Sequence, residues 1–170
     1  MSTRIFTPDI RVEHVISFSD AVFAFAITLM ALSIDIPDLP QNLSQTELLQ
    51  RLDDFYPQFE DYVISFAVIA IFWISYHQVF NHIKGSHISM VYLNLLFLLL
   101  ITLLSLTTSL ITNYASYQIP YVIYCIIVIM ASSLLVLIWL FATKKDRLVD
   151  RGINALFIKC TFLILFAQPK

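Results

Sequence analysis

An all-α bundle of membrane-spanning helices is the fold class that this sequence predicts, and three observations predict it. Of the 170 residues, 59% are hydrophobic and 13% are charged, against roughly half and roughly a quarter in soluble domains. Four apolar runs each approach the roughly 20 residues that a bilayer core of about 30 Å asks of a helix. Lys and Arg gather at alternate ends of those runs, as they do when helices thread a membrane in turn. A water-soluble fold has nowhere to hide this much apolar surface, whereas a bilayer has.

The first run, Val15 to Ile34, follows ten largely polar residues, and no small-residue cleavage pattern comes after it. It is expected to stay as a membrane helix and not to be removed as a signal peptide. In the acidic connection that follows, Ser44 and Glu47 fit a capping box, opening a short amphipathic helix through Leu48, Leu49 and Leu52. Three more spans are read at Tyr62 to Phe80, Met90 to Ile111 and Ile119 to Ala142. A fifth run, Ile153 to Ala167, carries Lys159 near its middle and, at about 15 residues, predicts a short fifth helix that falls below an ordinary span. No internal repeat and no sixth span is visible, and residues 1–170 read as a single transmembrane domain. With two glycines in the chain, the close Gly-x-x-x-Gly contact gives way to contacts through Ala, Ser, Thr and larger side chains.

Arg4 and Arg11 precede the first helix, Lys84 lies between the second and third, and Lys144, Lys145, Arg147 and Arg151 follow the fourth. On the opposite side, Arg51 stands alone among Asp35, Asp38, Glu47, Asp53, Asp54, Glu60 and Asp61, and the stretch from Thr112 to Gln118 has neither Lys nor Arg. Positive-inside bias therefore predicts a cytoplasmic amino terminus. The net charge of −2 supplies no basic surface for nucleic acid. Cys125 and Cys160 fall inside apolar runs, where a small thiol packs against its neighbours. His77, His82 and His87 follow one another in steps of five, about 140° per step on a helix, so no metal site is expected of them. Nothing in the chain calls for a cofactor.

Two features of the first helix bear on chemistry. Asp20 sits one turn inside the apolar run, and an aspartate within a membrane segment costs about 2.5 to 3.5 kcal/mol unless it finds a partner or water. At about 100° per residue, Phe18, Ala21, Phe25, Thr28, Leu29 and Leu32 form one stripe, while Asp20 and Ile27 point to a nearly opposite face. One face is suited to lock the helix to its own subunit and the other to line an axis. Periodicity alone leaves that stripe an ordinary packing seam. Trp73 and His77, four apart on the second helix, share a face, and each can donate to an ionised Asp20.

Phe18-Ser19-Asp20 followed by Ile27-Thr28-Leu29, then Ser65-Phe66, Trp73 and His77, then Asn94-Leu95, make the sequence similar to the bacterial relatives of the lysosomal potassium channel called transmembrane protein 175. The likeness spans roughly residues 11 to 142. It implies subunits assembled as tetramers around a pore lined by the first helix, with no carbonyl filter and with apolar rings that gate by wetting and dewetting. Carried onto this chain, it implies a constriction at Phe25, then Thr28 and Leu32, and a buried polar network of Ser19, Asp20, Trp73, His77 and Asn94. Departures are visible too. The signature's arginine is replaced by His14, with Arg11 one turn earlier; the constriction residue, commonly Ile or Leu, is Phe25; and Ser105 and Thr107 stand where a proline pair is usual.

The leading expectation is a homotetrameric, potassium-permeable cation channel with passive flow, in contact with the lipid bilayer. One copy of four or five helices is too small to surround an aqueous path, so conduction requires a ring. The rivals are a non-conducting membrane assembly or scaffold protein and a proton-coupled transporter using Asp20 and His77. An enzyme is not expected, since no nucleophile motif or metal spacing accompanies Ser19, Asp20 and His77.

Overall fold

The computed structural model describes residues 11–32, 34, 44–83 and 87–144. They form four helices: α1 Val12–Leu32, α2 Gln45–Phe80, α3 Ile88–Asn113 and α4 Ile119–Lys144. All four are long and apolar enough to cross a membrane. The expected fifth helix lies outside the described residues, as do Arg4, Lys84, Lys145, Arg147, Arg151 and Cys160.

Each span starts or ends within a few residues of its sequence limits, with one correction. The amphipathic segment after Ser44 is no separate short helix but the first turns of α2, which runs unbroken for 36 residues. At about 1.5 Å per residue that is about 54 Å, well beyond a bilayer core, so α2 projects past the membrane. Its start is fixed by the predicted capping box: the Ser44 hydroxyl accepts from the Glu47 backbone N–H, and the Glu47 carboxylate accepts from the Ser44 N–H at 3.0 Å. Pro57 lies inside the helix and is exposed, so water can satisfy the carbonyl that its missing N–H leaves free. At the other connection, the His87 ring caps α3 by accepting from the Ser89 N–H at 3.3 Å.

Helix α3 is central and packs against α1, α2 and α4. Between α1, α2 and α3 lies an aromatic knot of Phe23, Phe72, Tyr76 and Phe97, all essentially inaccessible. The Phe23 ring stands 5.9 Å from Tyr76 and 6.1 Å from Phe97, and the Tyr76 and Phe97 planes are within 4° of parallel. Aromatic pairs at such separations add to plain area burial. This matters in lipid, where apolar helices gain little by leaving one apolar medium for another and dispersion must decide the fit. Close approach elsewhere uses Ala26, Ala131 and Ala142, with the buried hydroxyls of Ser65, Ser105, Thr108 and Ser132, as a glycine-poor chain requires. Cys125 departs from the packing expected of it: it lies on the exposed side of α4.

Candidate functional site

Two faces of α1 have opposite characters. Val12, Val15, Ser19, Phe23, Ala26 and Met30 form its buried face, a 3–4 spacing that places them on one side of the helix. Phe18, Phe25, Leu29 and Leu32 are 54%, 67%, 52% and 81% exposed in the single chain, and Ala21 and Thr28 are exposed with them. The whole predicted stripe is therefore left uncovered by its own subunit. Exposure also extends round to Ser17, Ala24 and Ala31, so Asp20 flanks the buried face and does not sit at its centre.

Polar contacts pin the buried side in two groups. In the first, the Ser19 hydroxyl donates to the Val15 carbonyl at 2.8 Å and accepts from the Tyr76 hydroxyl at 2.8 Å and from the Asn94 amide at 3.0 Å. One oxygen thus joins α1, α2 and α3, and all three side chains are buried. The Asn94 side-chain carbonyl oxygen is buried without a hydrogen-bond partner among the described residues. In the second group, Asp20 Oδ1 accepts from Trp73 Nε1 at 2.8 Å and lies 2.8 Å from His77 Nε2. The Trp73 and His77 rings meet edge-on with centroids 4.6 Å apart, so one helical turn of α2 presents two donors to one carboxylate oxygen. This second group is half-exposed, with His77 and Asp20 side chains 25% and 42% accessible.

The five residues expected in a polar network thus come into contact, but as two clusters, Ser19 with Asn94 and Asp20 with Trp73 and His77. Tyr76 completes the first cluster and was not foreseen. Four residues from the end of its apolar run, it has the sequence appearance of an ordinary headgroup-level tyrosine. A second residue not foreseen is Ser105, whose buried hydroxyl donates to the Ala26 carbonyl of α1 at 2.7 Å. On the stripe, the Thr28 hydroxyl turns back to the Ala24 and Phe25 carbonyls, both at 3.0 Å.

Other candidates are dispersed. Arg11 contacts the His14 ring at 2.9 Å, so two basic residues at the start of α1 meet each other. His82 bonds the Gln78 carbonyl and faces Trp139, while His87 caps α3. The three histidines at intervals of five therefore serve three separate places.

Comparison with known proteins gives this geometry a family. Residues 14–105, more than half of the chain, match the profile of the family described as the endosomal/lysosomal potassium channel TMEM175. A potassium channel of Streptomyces collinus is 29% identical over 151 residues, covering 85% of this chain and 69% of its own length. A potassium channel of Chamaesiphon minutus is 29% identical over 136 residues, 78% of this chain and 66% of that protein. The endosomal/lysosomal proton channel TMEM175 of Rattus norvegicus is 36% identical over 78 residues, 42% of this chain, which spans 15% of the rat protein. The fold is that of the crystal structure of a lysosomal potassium-selective channel TMEM175 homolog from Chamaesiphon minutus, with a TM-score of 0.74 and 24% identity over 91% of this chain and 80% of that one. With its signature helix, its four spans and this profile in agreement, the chain belongs to the TMEM175 family.

Proposed function

We propose that the chain is one subunit of a potassium-permeable cation channel, a homotetramer whose pore is lined by α1 and narrowed at Phe25, Thr28 and Leu32. The observation that carries this reading is the asymmetry of α1. Its inner face is bonded to α2 and α3, while Phe18, Phe25, Leu29 and Leu32 are more than half exposed. Four such stripes around one axis make successive apolar rings, and an apolar constriction controls passage by whether water fills it. Flow is passive and uses no catalytic step and no cofactor.

In this reading Ser19, Asp20, Trp73, His77 and Asn94 hold α1 in its rotational setting and do not touch the ion. Residues 1–170 act as one membrane domain, with the amino terminus in the cytoplasm of a bacterial cell. The Lys and Arg bias supports that orientation, and accessibility of an introduced cysteine at Ser2 to a membrane-impermeant reagent tests it.

Potassium flux from liposomes, with and without an imposed proton gradient, tests the function. Flux independent of the gradient is expected. Dependence on the gradient favours the second reading, proton-coupled transport through the Asp20–His77 pair, which draws support from the partial exposure of that pair and from the rat relative's description as a proton channel. Silence, with an intact oligomer in mild detergent, favours a non-conducting assembly protein, and a stable monomer removes the channel reading.

A further inference from the structure

We infer that Ser105 of α3 is a positioning residue for the constriction, holding the turn of α1 that carries Phe25; the inference rests on the reading of Phe25 as the narrowest ring. Ser105 is 8% exposed, and a buried hydroxyl in a membrane protein must find an acceptor within the protein. It finds the backbone of the neighbouring helix: its Oγ lies 2.7 Å from the carbonyl oxygen of Ala26, the residue that follows Phe25. Ala26 is 1% exposed, and its single methyl group lets α3 come close enough for that bond.

The same turn of α1 is loaded from the other side. Thr28 gives its hydroxyl to the Ala24 and Phe25 carbonyls. Two hydroxyls, that of Thr28 shared between Ala24 and Phe25 and that of Ser105 on Ala26, therefore serve the carbonyls of three successive residues in addition to their helical role. Hydroxyls inserted into the helical ladder lengthen its bonds and bend the helix. The turn bearing Phe25 thus shares its carbonyls with hydroxyls, and Ser105 ties its inner side to the central helix α3. Loss of that tie frees the turn to sway, and the Phe25 side chains with it, so that the ring opens and wets more often.

The experiment uses the full chain in liposomes, with flux scored per assembled oligomer. Relative to wild type, S105A is expected to raise potassium flux by about threefold to about twentyfold, the span that one interhelical hydrogen bond in a membrane can shift an equilibrium, and to lower discrimination against sodium. S105T keeps the donor and should bring both readouts back toward wild type. In an F25A background S105A should add nothing, because no ring is left to position. A bond that served packing alone would lower the assembled fraction without moving flux per oligomer, and that result overturns the inference. So does an S105T that behaves like S105A, or an S105A effect that persists in F25A. Should S105A fail to assemble, S105C, of similar volume and with a weaker donor, carries the same comparison. The failure of the underlying reading looks different: F25A itself then leaves flux unchanged.

Discussion

Replacing Ser19 by Ala removes one hydroxyl, and its cost can be worked from the three bonds that meet there. The bond to the Val15 carbonyl stays within α1, and its loss matters little, because that carbonyl keeps its helical partner. The other two cross to α2 and α3, and the substitution leaves the Tyr76 hydroxyl and the Asn94 amide, both buried, without that acceptor. In a soluble core each orphaned donor costs about 1–3 kcal/mol. Within a bilayer, interhelical hydrogen bonds measure about 0.6 kcal/mol on average and about 1.7 at most, because the unfolded helices also find partners. Two bonds at the membrane value give about 1 to 3.5 kcal/mol, and Tyr76→Phe, which keeps the ring stack and removes one donor, should cost about half of that.

Ser17→Ala is the internal control. It deletes the same group two residues away, but that hydroxyl is exposed and bonds only the Glu13 carbonyl of its own helix among the described contacts. Reversible unfolding in mixed micelles, followed by tryptophan fluorescence, should place S19A clearly below wild type and S17A beside it. Non-additivity in the S19A/Y76F pair should then report the shared bond. Equal stabilities for S19A and S17A would refute the three-helix role of Ser19.

Other perturbations separate packing from permeation. Phe23→Ala empties the aromatic knot and should lower stability by the cavity and dispersion part of the about 3–5 kcal/mol that such a change costs in a soluble core, seen in the same unfolding assay, whereas Phe25→Ala, 67% exposed, should leave stability near wild type and raise ion flux strongly with poorer discrimination; a larger flux effect at Phe23 would place the pore on the wrong face. Asp20→Asn keeps an oxygen for Trp73 and His77 but loses its charge, so stability should fall by about 1 kcal/mol with ion preference unchanged; a stable, assembled mutant of altered selectivity would contradict this. The Ser44 backbone N–H, then its hydroxyl, hold the Glu47 carboxyl below its ordinary value. A depressed folded-state value means stabilisation present above the unfolded value and lost as pH falls through the folded one; protection factors in the first turn of α2, corrected for the intrinsic pH dependence of amide exchange, should fall on acidification in wild type and lose that dependence in Glu47→Gln.

The spans were legible because a bilayer imposes a length, and Val12–Leu32, Ile88–Asn113 and Ile119–Lys144 depart from their sequence limits by three residues or fewer at each end. The meeting of Asp20 with Trp73 and His77 was legible as well, since an acid inside an apolar run demands donors and two donors shared one face of another helix. The unbroken course of α2 was not, because Asp53, Asp54, Glu60, Asp61 and Pro57 read as a connector when hydropathy alone is followed. Ser105 escaped for another reason. A hydroxyl that satisfies a neighbouring helix has the same sequence appearance as one that folds back onto its own carbonyl four residues earlier, as Thr108 and Ser132 do. The acceptor is a property of helix rotation, which no single helix reveals.

That rotation is what the polar contacts of α1 determine. Apolar side chains gain nearly as much against lipid as against another helix, so apolar packing alone would leave the rotation of α1 weakly specified. Ser19 bonds α2 and α3 at one level, and the Ala26 carbonyl bonds Ser105 seven residues on, about 10 Å along the axis. Phe23 fills the interval with the aromatic knot. Two anchors on one face, separated by two turns, resist both rotation and sliding, and the stripe outside them is then held in place without contributing to the subunit's own packing. It follows that Phe25, where Ile or Leu is commonly expected, can change size without any cost to the fold of the subunit. A change of size at Phe25 leaves the interhelical bonds of Ser19 and of the Ala26 carbonyl untouched, so the stripe is free to be shaped by whatever packs in front of it.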